Sequence, residues 1–121
     1  MKLSSLITKF LEHAEIGKNQ SPKTIQNYHH YLTRFLKWAG NIDPKNITLD
    51  QIHKYRLYLN RYQDERGRTL SSKTQNYHLI ALRAFLKYLA KNDIPSLSPE
   101  KVELGKTPQR SVEFLTREEL E

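Results

Sequence analysis

A stretch of twenty residues occurs twice in this chain in related form, and both copies carry the punctuation of a helix. Residues 21–40 read SPKTIQNYHHYLTRFLKWAG and residues 71–90 read SSKTQNYHLIALRAFLKYLA. At an offset of 50, Ser21, Lys23, Thr24, Leu32, Phe35, Leu36 and Lys37 match Ser71, Lys73, Thr74, Leu82, Phe85, Leu86 and Lys87. Each copy opens with a helix-start signal, and apolar residues then recur every three or four positions, the spacing that gathers one face of an α-helix. Neither copy contains an aspartate or glutamate. A solvated helix face normally mixes signs and gains ion pairs between neighbouring turns. Two like helices with basic charge alone suit a polyanionic partner; the bland alternative is a solvated, lysine-rich surface.

Two more helices flank and separate these. Leu3, Leu6, Ile7, Phe10, Leu11 and Ala14 form an apolar stripe that predicts a helix from about Ser4 to Ile16, ended by Gly17. Ser21-Pro22 supplies the cap and first position of the second helix, and Gly40 stops it. Thr48 with Gln51 makes a capping-box pattern for a third helix through LDQIHKYRLYLNRY. After the charged loop QDERGRTL, Ser72 with Gln75 repeats that pattern for the fourth, which runs to about Asn92 and ends at Asp93-Ile94-Pro95. No sustained apolar–polar alternation and no Asn-Gly hairpin signal appears, so the fold class is all-α.

The stretch Ser96–Ser111, rich in Pro, Ser, Lys and Glu, reads as a linker. In the closing FLTREELE, Thr116 with Glu119 opens a further helix, and a single turn is not stable alone. The expectation is a fragment: a folded unit over 1–95, and over 96–121 a linker with the first residues of a following domain.

A chain of 121 residues can bury a core without metal or disulfide. It has no cysteine, which excludes disulfides and cysteine-ligated zinc and favours a reducing cytoplasm. The N-terminus lacks the apolar core of a signal peptide, and no stretch approaches the roughly 20 apolar residues of a membrane helix. The net charge of +7 is uneven. Residues 1–110 hold 19 Lys/Arg against 9 Asp/Glu, whereas 111–121 hold Arg117 against Glu113, Glu118, Glu119 and Glu121. A basic body with an acidic end fits a nucleic-acid binder joined to something else.

On the second helix, Ile25, Tyr28, Leu32, Phe35, Leu36 and Ala39 share one face, with Lys23, Asn27, His30, Arg34 and Lys37 opposite. Asparagine can pair with adenine in a major groove, while lysine and arginine suit phosphate or guanine. The fourth helix, with Leu79, Leu82, Phe85, Leu86 and Leu89 on one face and Ile80, Ala81, Ala84 and Tyr88 spreading further round, is predicted to be central. Its usable polar groups gather at the start: Ser71, Ser72, Lys73, Thr74, Asn76 and Tyr77, where a helix N-terminus offers free amides to a phosphate. Arg83 reaches either a backbone phosphate or a carboxylate on another helix. His29 and His30 are adjacent on different faces, His53 and His78 lack spacing partners, and no metal-ligand motif exists. The tyrosines and Trp38 fall mostly at core and rim spacing. There is no Gly-rich phosphate loop and no catalytic constellation, so neither cofactor nor catalysis is expected within these residues.

SPKTIQNYHHYLTRFLKW, ITLDQIHKYRLYL and LSSKTQNYHLIALRAFLKYL, in that order and followed by SPEKVELGKTPQRSVEFLTREELE, resemble the N-terminal core-binding domain of tyrosine recombinases, the Xer and phage-integrase family. The resemblance covers nearly the whole chain. It implies a SAM-like four-helix bundle that forms one half of a clamp on double-stranded DNA, with its second and fourth helices at the major groove. By position it carries DNA contact over to Lys23, Thr24 and Asn27, and to Lys73, Thr74, Asn76 and Arg83. Arg34 and Lys37 come from the helical wheel alone. The family's nucleophilic tyrosine and its activators would lie after Glu121, so no tyrosine in this chain is expected to be the nucleophile. Full-length relatives act as tetramers on DNA, while these residues alone are expected to be monomeric. The rivals are a helical DNA-binding domain of a transcription regulator and a SAM-like protein-interaction domain.

Overall fold

A computed structural model of the protein describes residues 2–17 and 20–104. Four α-helices follow one another: α1 Leu3–Ile16, α2 Pro22–Ala39, α3 Leu49–Arg61 and α4 Ser72–Lys91. Short 3-10 turns lie at Pro44–Asn46 and Pro99–Lys101, and there is no strand among the described residues. The fold is all-α, as the periodicity requires.

Part of the internal repeat is a repeated cap. Ser21 Oγ accepts the amide of Thr24 at 3.2 Å and shares a hydrogen bond with its hydroxyl at 3.0 Å. Ser71 Oγ accepts the amide of Thr74 at 3.1 Å and donates to its hydroxyl at 3.0 Å. The common Ser-x-Lys-Thr thus satisfies one orphan amide at each helix start. This moves the cap of α4 from the expected Ser72 to Ser71. Gln75 does not close a box there, because its side-chain amide donates to the carbonyl of Leu70 at 3.0 Å. In α3 the Thr48 hydroxyl accepts the Gln51 amide at 3.1 Å, as expected.

The stops differ in kind. Gly40 turns the chain with φ 91°, a conformation that suits glycine. Gly17 stays right-handed at φ −73°, its amide bonded to the carbonyl of His13, so it does not act as a left-handed stop. After α4 the left-handed residue is Asp93, at φ 58°. The Ile94 amide reaches back to the carbonyl of Leu89 at 2.9 Å and closes the end before Pro95 is reached.

Helix α4 is central, packing on α1, α2, α3 and the Pro99–Lys101 turn. Its Leu79, Ala81, Leu82, Phe85, Leu86 and Leu89 are buried with Leu3, Leu6, Ile7 and Phe10 of α1, Leu32 and Phe35 of α2, and Ile52, Tyr55 and Leu59 of α3. Val102 is buried in the same core, Ile94 and Leu97 pack on it, and Arg56 Nη1 donates to the carbonyl of Glu103. The packed body therefore runs past the expected boundary at residue 95, because Leu97 and Val102 give the polar tail apolar footholds. The expected helix start at Thr116 lies outside the described residues.

Candidate nucleic-acid interface

Helices α2 and α4 pack on one another. Arg34 Nη1 lies 3.2 Å from His78 Nε2, the Tyr31 ring lies 4.4 Å from the His78 ring, and Thr24, Asn27 and Tyr31 line a groove with Tyr77 and Ile80. His78 is 1% exposed, and its Nδ1 is 2.8 Å from the carbonyl of Thr74. A carbonyl only accepts, so Nδ1 carries the proton, and Nε2 is left to accept from the guanidinium. Burial, with the Arg34 charge adding to it, lowers the His78 pKa to about 4 even though the Thr74 bond opposes the shift. His78 is a neutral acceptor near pH 7 that ties α2 to α4.

The expected contact residues fall into three neighbouring places. Thr24, Asn27 and Tyr77 share the α2–α4 groove, with Lys23 exposed at the start of α2 and the Lys73 ammonium 6.0 Å from the centre of the Tyr77 ring. His30, Arg34 and Lys37 line a concavity with His29, Thr33, Tyr58 and Tyr62, between the later half of α2 and the end of α3. Ser72 and Asn76 line a third with His53, Arg56, Asn60 and Leu79, between α3 and α4. Arg83 is exposed on α4, and no described carboxylate pairs with it; the ion pairs among the described residues are Lys54–Asp50 and Arg68–Asp64. Arg34, placed by the wheel on the solvent face, is half-buried, with its guanidinium 4.6 Å from the centre of the Tyr62 ring. The pKa of His30 is lowered, first by burial and then by Arg34 and His29, so this imidazole is also mostly neutral near pH 7.

Sequence reading missed His78 and Ile80. The signal for His78 was present: it stands three, four and seven residues before Ala81, Leu82 and Phe85, on the arc that α4 buries. Ile80 is 38% exposed and Tyr77 40% exposed beside Asn27, which gives the groove an apolar as well as a polar side.

Residues 7–93 match the family described as phage integrase, N-terminal SAM-like domain. The chain belongs to that family. This integrase-type domain is 30% identical over 113 residues to the tyrosine recombinase XerC of Anoxybacillus flavithermus, an alignment that takes in 93% of the chain. It spans 37% of the length of that curated relative. The crystal structure of the N-terminal domain of a phage integrase/site-specific recombinase from Haloarcula marismortui has the same fold, with a TM-score of 0.70 and 22% identity over 87% of this chain and 97% of that one. Among the described residues of the domain, no helix is long and apolar enough to cross a membrane, and no three His, Asp or Glu side chains cluster as metal ligands would.

Proposed function

We propose that this domain holds double-stranded DNA for a tyrosine recombinase, meeting the recombination site with the face shared by α2 and α4, while strand cleavage and joining belong to a catalytic domain outside these residues. The observation that carries the reading is the pairing of the two carboxylate-free helices: Asn27 lines a groove with Tyr77 and Ile80, Lys23 is exposed at the start of α2, and Lys73 and Arg83 are exposed at the start and in the middle of α4. Lysine and arginine on such a face neutralise phosphates and set register. Asn27 supplies the paired donor and acceptor that reads adenine, and Ile80 supplies an apolar contact suited to a thymine methyl. The domain alone is monomeric, and the whole recombinase assembles as a tetramer on DNA in the cytoplasm.

Fluorescence anisotropy with a duplex carrying the recombination site tests this. Affinity should fall about a hundredfold or more between about 50 and 200 mM salt, because phosphate contacts release counterions. Binding that is absent at the lower salt, or indifferent to salt, refutes the DNA reading.

A further inference from the structure

The concavity between the later half of α2 and the end of α3 has cations and aromatic walls but no carboxylate. At its base Arg34 is held from two sides by neutral groups, the His78 imidazole and the Tyr62 ring. A guanidinium has five N–H donors; apart from the bond to His78, those of Arg34 have no acceptor among the described residues. Lys37 stands one helical turn further on, exposed and without a described carboxylate partner. The half-buried Thr33 lines the same concavity. Partly burying a charge with no counter-charge is costly, and the cost falls when an anion arrives to share the donors. An oriented guanidinium fork beside a lysine matches the tetrahedral oxygens of a phosphate better than any neutral ligand.

We propose that this concavity is a phosphate-oxyanion site, in which Arg34 forks onto two oxygens, Lys37 adds charge, Thr33 adds a hydroxyl donor, and Tyr58 and Tyr62 limit access of water. The phosphate is either a phosphodiester of the DNA backbone, in which case the site extends the DNA-binding reading above, or a free phosphate, in which case it stands apart from that reading.

NMR of the whole chain, titrated with inorganic phosphate at millimolar concentration against chloride of equal ionic strength, tests the site. Saturable shifts are expected at the Thr33 amide and the Arg34 side-chain N–H. Lys37→Gln should weaken phosphate several-fold, and Arg34→Lys, which keeps the charge and loses the fork, by about tenfold. Lys9→Gln, the same charge loss on α1, should leave it unchanged. If Arg34→Lys fails to fold, Lys37→Gln and Thr33→Val, each of which should weaken phosphate, still decide the matter, because Lys37 is exposed and Thr33 only half-buried. In a duplex titration, Lys37→Gln should lower the salt slope by about one if the ligand is backbone phosphate. An unchanged slope in Lys37→Gln, with the parent still binding phosphate, identifies free phosphate. Phosphate shifts without any duplex binding sink the DNA reading and leave this site standing. Resonances that move no more with phosphate than with chloride overturn the proposal.

Discussion

Arg34 and His78 meet where α2 crosses α4, and their hydrogen bond needs a neutral imidazole. His78 takes up its proton at about pH 4 in the folded protein, against 6.5 for the ordinary group, because burial disfavours the charged form. The unfolded chain therefore binds that proton at higher pH than the folded one. Its contribution to stability is fully present above pH 6.5 and is lost as pH falls towards about 4. The lost contribution should be about 3 kcal/mol across that window. Urea denaturation at a series of pH values should show the decline, and His78→Gln should flatten it; equal declines in both proteins would assign the effect elsewhere. Residues on the opposite faces of α2 should separate binding from folding. Lys23 and Asn27 are exposed, so the double substitution to alanine should change stability by no more than about half a kcal/mol while weakening binding to the recombination site. Phe35 is 1% exposed and touches the rings of Tyr55 and Trp38, so Phe35→Ala should cost about 3–5 kcal/mol. Thermal melts and DNA titrations on both variants check this, and the reverse pattern would mean that the faces of α2 are inverted.

Each basic helix begins with the same small device. Ser71 holds the Thr74 amide and hydroxyl, whereas Ser72 is the first residue inside α4 and makes no cap bond. Ser71→Ala should therefore cost about 1 kcal/mol. Ser72→Ala should stay within about half a kcal/mol of the parent. The shift of the urea midpoint at constant slope measures both, and a larger loss at Ser72 would restore it as the cap. The far end of α4 shows the same economy of means. Asp93 takes the left-handed conformation, the amides of Asp93 and Ile94 bond back into the last turn, and the Asn92 side-chain amide donates to the carbonyl of Tyr88. A cap used twice explains why Ser, Lys and Thr recur together at the two helix starts. The absence of carboxylates along both helices has no such local explanation, and it is what singles out their shared face.

For the whole molecule, the proposal assigns grip to this domain and chemistry to residues outside it. Incubation with a nicked suicide duplex carrying the recombination site should leave no covalent protein–DNA adduct, as read by denaturing gel and mass spectrometry; an adduct at any of the seven tyrosines would overturn that division. The helical frame was legible in the sequence because it is local. Apolar spacing, Ser21-Pro22, Gly40 and Thr48 act within a few residues, and α1 to α4 fall where those signals stand. The identity of α4 as the central helix was legible too, from the width of its apolar arc, which the core uses almost whole. The choice of Ser71 over Ser72 turned on a competition between adjacent serines that Gln75 settled by bonding to Leu70, and spacing alone does not resolve it. The seating of Leu97 and Val102 needed the groove beside α4 to exist first. At the candidate interface, residue types could be read in advance, whereas partnerships could not. Arg34 and His78 stand 44 positions apart and meet through the packing of two helices, and the polar row of α2 is divided, with Asn27 in a groove facing α4 and His30, Arg34 and Lys37 in a concavity facing α3. Periodicity states which way a side chain leaves its own helix; only packing decides which neighbour lies in that direction, and with it which charges stay free and which are held.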